Sequence, residues 1–123
     1  MPKILVVDDS SSLRSIIRHT LEINGYQVIE AGDGYEAIQK ISDDIKLLIS
    51  DINMPKMNGI ELVKNIRNNT SYKALPILIL TTESASELKE EGKKAGATGW
   101  LVKPFDAEKL LFIIKKLIGS SEM

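Results

Sequence analysis

Hydrophobic and polar positions follow two different periods along almost the whole chain. Four short runs are apolar at nearly every position, which is typical of strands buried on both faces, and a fifth run, at 27–31, predicts a weaker strand. Between these runs apolar residues recur every three or four positions, which is typical of amphipathic helices. The pattern therefore predicts strands and helices in strict alternation. The predicted strands cover residues 3–7, 27–31, 46–50, 76–80 and 99–102.

Turn and capping residues mark the ends of the five predicted helices. The first helix stops at Asn24-Gly25, and a short second helix follows the turn at residues 32–34. Asn58 is a suitable N-cap for the third helix. The fourth helix is predicted over residues 84–95, with a thin apolar stripe and Gly92 inside it, and the fifth over residues 106–118. We expect the fourth helix to have low local stability, because glycine costs about 1 kcal/mol relative to alanine in a helix.

Strands alternating with helices favour parallel pairing and right-handed crossovers. The predicted fold is α/β: a doubly wound, five-stranded parallel sheet of the flavodoxin-like type, with helices on both faces. The strand order 2-1-3-4-5 would make neighbours of the four strands whose ends carry polar residues. The 123 residues are expected to form one domain, 1–123, with a core of about 3–119.

The composition of the chain excludes several kinds of function. The net charge is −1, so nothing suggests a nucleic-acid or membrane surface. The absence of cysteine excludes disulfides, thiolate metal sites and cysteine nucleophiles. No apolar run approaches the length of a membrane span, and we expect a cytoplasmic, monomeric protein.

Polar residues directly follow four of the five predicted strands. Because parallel strands end at one edge of the sheet, these side chains are expected to lie together. Three clustered carboxylates require a cation, and an all-oxygen donor set favours Mg²⁺. A divalent cation, a lysine and a threonine hydroxyl suit a phosphoryl group, with Asp51 available as nucleophile. The residues are Asp8 and Asp9 after the first strand, Asp51 after the third, Thr81 and Thr82 after the fourth, and Lys103 after the fifth.

Four segments together resemble the response-regulator receiver domain, and the likeness extends over essentially the whole chain. They are VVDDSSSLR (6–14), ISDINMPKMNGIEL (49–62), LTTES (80–84) and GATGWLVKPFD (96–106). The resemblance implies a phosphorylation switch of a two-component system, in which a histidine kinase supplies the phosphoryl group. The change would be read out on the face made by the fourth helix, fifth strand and fifth helix.

The resemblance also implies a role for each site residue. Asp51 would be the phosphoacceptor and, with Asp9 and the backbone carbonyl of Asn53, a direct Mg²⁺ ligand, while Asp8 acts mostly through water. Lys103, Thr81 and the backbone N–H groups of Asn53 and Thr82 would contact the phosphoryl group, and a cis peptide at Lys103-Pro104 would aim the lysine into the site. Thr81 and Trp100 would form a switch pair. Asn53 and Glu83 would tune the rate of dephosphorylation.

The sequence also allows plainer interpretations of these residues. Asp8 and Asp9 can form a turn and a helix cap, Lys103 can be a solvated loop residue, and Trp100 can be core filler. Thr82 departs from the alanine that many receivers have after the switch threonine, and its bulk would slow entry of a phosphodonor. His19 is expected at the surface without a role.

The resemblance favours a signalling protein, not an enzyme with a foreign substrate. Since the sequence stops soon after the fifth helix, output is expected through binding another protein, most closely the flagellar motor switch in chemotaxis, with a phosphatase as a further partner. One alternative is a relay intermediate that passes the phosphoryl group to a histidine phosphotransfer domain. An alternative of another class is a Mg²⁺-dependent phosphatase or phosphotransferase that forms an aspartyl phosphate.

Overall fold

The computed structural model describes residues 1–82 and 86–118 and confirms the predicted fold class. Five parallel strands form one sheet in the order β2-β1-β3-β4-β5. The strands are β1 (Lys3–Val7), β2 (Gln27–Ala31), β3 (Ile45–Asp51), β4 (Ile77–Thr81) and β5 (Gly99–Val102). The helices are α1 (Ser11–Glu22), α2 (Gly34–Lys40), α3 (Gly59–Asn68), α4 (Ser86–Ala95) and α5 (Ala107–Ile118). In the part of the chain described, no helix is both long and apolar enough to cross a membrane.

The strands reach further into the polar edge of the sheet than the apolar pattern predicts. β3 includes Asp51, and β4 includes Thr81, because their backbones still pair with the neighbouring strands there. The pattern also missed a short 3₁₀ helix at Thr70–Tyr72, which Asn69 caps through its side chain. The start of the predicted fourth helix, at 84–85, lies outside the described residues.

The sheet separates two apolar layers. Alternate residues of the central strands face α2 and α3 on one side, and α1 and α5 on the other. The central strands are buried along most of their length, whereas β2 and β5, at the two edges, are only partly buried. This burial on both faces explains the continuous apolar runs.

Helix caps resolve one question that the sequence left open. Ser10 occupies the N-cap position of α1, and its hydroxyl accepts a hydrogen bond from the Leu13 N–H at 3.2 Å. Neither Asp8 nor Asp9 therefore caps this helix, so the capping interpretation is wrong. Asn58 caps α3 as predicted, in a reciprocal arrangement with Glu61.

Candidate metal centre

Three carboxylates converge at one edge of the sheet. Asp8 and Asp9 directly follow β1, and Asp51 ends β3. Because β1 and β3 are neighbours in the sheet, their carboxyl ends lie side by side. One carboxylate oxygen from each of the three residues lies within 4.8 Å of the others. Three oxygens at this separation form a donor set that a hard divalent cation can bridge.

Burial gives the cluster a closed side and an open side. Asp8 and Asp51 are only 2% and 8% exposed, whereas Asp9 is exposed to solvent. Asp8 is held from within the chain, since its Oδ1 accepts the Ser10 N–H at 2.9 Å. The cluster is therefore open to solvent on the side of Asp9.

Lys103 extends over the same cluster from the end of β5. Its Nζ lies 3.4 Å from Asp8 Oδ2 and 3.4 Å from Asp51 Oδ1. The backbone N–H of Lys103 donates to the Thr81 carbonyl at 2.6 Å, and the Lys103–Pro104 peptide bond is cis. A single ammonium shared by two carboxylates cannot neutralise three of them. The cluster therefore keeps an excess of negative charge when no cation is bound.

Asp51 has an unfavourable electrostatic environment for its charge. Burial and the neighbouring Asp8 raise the pKa of the Asp51 carboxyl above its usual range. Lys103 and the backbone N–H of Ile52, which donates to Asp51 Oδ1 at 2.8 Å, oppose this rise without cancelling it. A cation bound to the cluster would therefore stabilise the ionised form of the Asp51 carboxyl.

Gly59 supports the backbone that carries Asp51, a role that the sequence pattern does not reveal. Its N–H donates to the Ile52 carbonyl at 2.9 Å, which brings the start of α3 against the end of β3. A Cβ on Gly59 would lie 2.5 Å from the Asp51 carbonyl oxygen and 2.9 Å from Ile52 Cα. Only glycine permits this approach of two backbones.

The loop between β3 and α3 is anchored by two methionines. Met54 and Met57 are both buried, and the exposed Asn53 precedes them. Lys56 adopts a left-handed backbone with φ of 68°. This anchoring gives the backbone of Asn53 a defined place beside Asp51, two residues earlier.

The end of β4 contributes the two threonines. Thr81 is fully buried at the end of the strand, and Thr82 follows it at the surface. Leu80 pairs with Asp51 in the sheet, so Thr81 lies at the same edge, next to the acidic cluster. Glu83 lies outside the described residues, and His19 is exposed on α1.

Trp100 packs against α4, which explains the glycine inside that helix. Trp100 pairs with Ile79 in β4, and the alternation of side chains along β4 puts Ile79 and Thr81 on one face. A Cβ at Gly92 would lie 2.9 Å from Trp100 Cζ3, so Gly92 makes room for the indole ring. The ring is partly exposed, and its Nε1 is buried with no hydrogen-bond partner among the described residues.

The structure therefore brings together the residues expected at the strand ends, and it shows that Gly59 supports the backbone beneath them. Asp8, Asp9, Asp51 and Lys103 converge, while Thr81, Thr82 and Asn53 lie on adjacent segments. Sequence reasoning assigned no role to Gly59. An Asn-Gly pair after a buried strand is a signal for close approach, but by itself it indicates only a turn or a cap.

Comparison with known proteins agrees with this geometry. Residues 4–115 match the family described as the response regulator receiver domain. The chain is 42% identical over 123 residues to the chemotaxis protein CheY1 of Helicobacter pylori, covering 98% of this chain and 99% of that protein. It is also 42% identical over 121 residues to a chemotaxis protein CheY homolog of Campylobacter jejuni, covering 96% of this chain and 93% of that one.

Solved structures give the same result. The chemotaxis protein CheY4 of Vibrio cholerae superposes with a TM-score of 0.89 at 51% identity, covering 95% of this chain and 98% of that chain. A response regulator receiver domain from Clostridium thermocellum superposes with a TM-score of 0.90 at 30% identity, covering 99% and 98%. With its acidic cluster at the ends of β1 and β3, and with these relatives over nearly its full length, the chain belongs to the response regulator receiver domain family.

Proposed function

We propose that this protein is a phosphorylation-driven signalling switch, in which Asp51 accepts a phosphoryl group from a histidine kinase. The observation that carries the proposal is the convergence of three carboxylates, with the Lys103 ammonium 3.4 Å from two of them. Such a set suits a tetrahedral dianion bound together with a divalent cation. If Lys103 were only a solvated loop residue, and Asp8 and Asp9 only turn residues, nothing would bring them together with Asp51.

The donor set fits Mg²⁺. Asp9, Asp51 and the backbone carbonyl of Asn53 would bind the ion directly, with Asp8 acting mostly through water. When bound, the ion would neutralise negative charge on the carboxylates and on the phosphoryl oxygens. Receiver domains generally bind Mg²⁺, and all four positions lie on adjacent segments of this chain.

The phosphoryl step needs few groups from the protein. A carboxylate oxygen of Asp51 attacks phosphorus and forms the new O–P bond. The bond to the donor, a histidine nitrogen of the kinase, breaks, and the electron pair leaves with that nitrogen. Lys103 pairs with the transferred oxygens, while Thr81 and the backbone N–H groups of Asn53 and Thr82 donate to them.

Uptake of phosphate from a small donor tests the proposal without the kinase. We expect the full chain, incubated with acetyl phosphate and Mg²⁺, to gain one phosphoryl group by intact-mass spectrometry. Hydroxylamine should remove the group, because acyl phosphates are sensitive to this nucleophile. Chelation of Mg²⁺ should prevent uptake. A group that is stable to hydroxylamine, or uptake that is unaffected by chelation, would contradict the proposal.

Signal output is proposed on the face formed by α4, β5 and α5. The chemotaxis relatives favour a chemotaxis-type kinase in the cytoplasm and, as target, the flagellar motor switch. Trp100 lies on β5 and packs against Gly92 of α4, so a movement of the ring changes this face directly. We propose that Thr81 moves toward the phosphoryl group and that Trp100 follows into the space beside α4.

Acrylamide quenching of Trp100 fluorescence measures this coupling, since Trp100 is the one tryptophan in the sequence. We expect the indole to be less accessible when Asp51 carries beryllofluoride, a phosphoryl mimic, than when it is free. One charge-assisted hydrogen bond contributes about 1.5–3 kcal/mol, which is enough to shift such an equilibrium.

Two variants identify the source of the fluorescence change. Thr81→Ala should bind beryllofluoride but show a smaller change in quenching. Thr20→Ala, on α1 at the other face of the sheet, should behave like the unaltered protein. Equal accessibility of Trp100 with and without the mimic would mean that the ring is only core filler.

A further inference from the structure

Arg14 connects the acidic cluster to the neighbouring strand. Its Nη1 donates a hydrogen bond to the backbone carbonyl of Asp8, and its Nε donates to Glu30 Oε1 at 3.0 Å. The Arg14 and Glu30 side chains are only 18% and 25% exposed. The guanidinium therefore bridges the end of β1 and β2 from a partly buried position. A planar group with donors in a fixed geometry can hold both partners at once.

The carbonyl that Arg14 contacts belongs to the peptide that joins Asp8 to Asp9. The other polar groups of Asp8 are also held: its N–H donates to the Ala31 carbonyl at 3.1 Å, and its Oδ1 accepts the Ser10 N–H. Asp8 follows the last residue of β1, so its carbonyl is beyond the regular pairing of the strand. Arg14 thus fixes the plane of the Asp8–Asp9 peptide where the sheet no longer does.

Asp9 depends on this backbone for its position. Its side chain is exposed and has neither a hydrogen bond nor an ion pair among the residues that the structure describes. The position of its Cβ is therefore set by the backbone alone, of which the Asp8–Asp9 peptide is the part that Arg14 contacts. A rotation of that peptide would move the Asp9 oxygens relative to those of Asp8 and Asp51.

We infer that Arg14 is a positioning residue for Mg²⁺ binding, which orients Asp9 by fixing the Asp8–Asp9 peptide and is itself oriented by Glu30. The inference rests on the proposed function, since it assigns a role toward the same metal site. Partners of metal ligands typically change metal affinity 10- to 100-fold when they are removed.

Glu30 holds Arg14 through one carboxylate oxygen and Arg18 through the other. Arg18 Nη1 lies 2.8 Å from Glu30 Oε2, and the ion pairs with Arg18 and Arg14 hold the pKa of the Glu30 carboxyl below its usual range. In the described part of the chain, the hydrogen bonds of Arg18 go to Glu22 and Glu30, and none goes to Asp8. Arg18 is therefore a matched control, because it shares the helix and the ion-pair partner of Arg14 but not the contact with the site.

Replacement of Arg14 should change the affinity for Mg²⁺ in opposite directions, depending on whether its charge or its positioning role dominates. Arg14 is a cation near a cation site, so Coulomb repulsion alone predicts that its removal strengthens Mg²⁺ binding. The positioning role predicts weaker binding. Arg14→Lys keeps the charge but cannot reproduce the two-pronged contact, so a pure charge effect predicts no change for this variant.

Calorimetric titration of the metal-free full chain with Mg²⁺ tests the inference. We expect the Kd to rise about tenfold in both Arg14→Met and Arg14→Lys. In Arg18→Met it should remain within about twofold, because an exposed ion pair contributes little. Thermal unfolding in chelator, measured on each variant, separates this effect from loss of stability. If Arg14→Met does not fold, the Kd of Arg14→Lys alone tests the inference.

The inference is overturned if either Arg14 variant binds Mg²⁺ at least as tightly as the unaltered chain does. It is also overturned if Arg18→Met loses as much affinity as the Arg14 variants. If the unaltered chain does not bind Mg²⁺, the proposed function fails and the inference fails with it. If the unaltered chain binds Mg²⁺ and the Arg14 variants bind it equally, only the positioning role fails.

Discussion

Asp51→Asn is expected to abolish phosphoryl uptake and, at the same time, to stabilise the metal-free fold. Uptake is lost because the amide is not a nucleophile of the kind that forms an acyl phosphate. The gain in stability arises because burial and Asp8 disfavour the charge of Asp51, as its raised pKa indicates. Asparagine keeps an acceptor for the Ile52 N–H, which donates to Asp51 Oδ1 at 2.8 Å, so the local backbone is retained.

The gain in stability should depend on pH with a definite sign. Since the pKa of Asp51 is raised on folding, the folded state binds more protons, and the carboxyl lowers the free energy of unfolding as pH rises through its range. Asp51→Asn should therefore raise Tm at neutral pH in chelator, and the gain should disappear in acid. A gain of about 1 kcal/mol would raise Tm by roughly 3–6 °C in a domain of this size.

Asp44→Asn provides a control of opposite sign. Hydrogen bonds from Lys3 and Ser42 lower the pKa of the Asp44 carboxyl to about 2. The Asp44 carboxylate therefore contributes to the free energy of unfolding above its unfolded pKa, and this contribution is lost as pH falls toward 2. Asp44→Asn should not be more stable than the unaltered protein at neutral pH. Phosphoryl uptake should be unaffected. If Asp51→Asn still takes up phosphate, or destabilises the protein at neutral pH without metal, the assigned role of Asp51 is wrong.

Gly59→Ala is expected to have the largest effect on both stability and uptake outside the acidic cluster. The new Cβ would lie 2.5 Å from the Asp51 carbonyl oxygen, and because this neighbour is backbone, α3 or the end of β3 must move. Overpacking of this kind typically costs 1–3 kcal/mol. A displacement of Asp51 by about 1 Å would lower the phosphorylation rate roughly 100-fold.

Gly99→Ala is the matched control for this effect, because it adds a methyl group at the start of β5, at the opposite edge of the sheet from Asp51. A Cβ there meets only the ends of leucine side chains, the nearest being Leu78 Cδ1 at 3.2 Å. Chemical denaturation and the rate of uptake from acetyl phosphate measure both variants. Equal stability and equal rates for the two variants would show that the contact between Gly59 and Asp51 does not support the site.

The sequence predicted the fold well because the sheet is buried on both faces. β1, β2 and β5 begin and end where the apolar pattern predicts, whereas β3 and β4 continue into Asp51 and Thr81. Apolar periodicity cannot detect a strand that continues through a polar residue. The cluster of carboxylates was also predictable, because parallel strands bring their ends to one edge.

The supporting contacts could not be predicted in the same way. Gly92 was interpreted as a weak point of α4, but the structure shows that it accommodates the ring of Trp100. Arg14 lies in a segment that carried the family resemblance, yet its contact with Asp8 depends on how α1 packs beside β2. Contacts of this kind join different elements of secondary structure and leave no periodic pattern.

Peptide mapping of the phosphorylated protein shows which residue accepts the phosphoryl group. After uptake from acetyl phosphate with Mg²⁺, reduction with borohydride converts an aspartyl phosphate to homoserine, which peptide mass spectrometry can locate. We expect homoserine at Asp51 and at no other residue. Modification at Asp8, Asp9, His19 or a serine, with Asp51 unchanged, would contradict it.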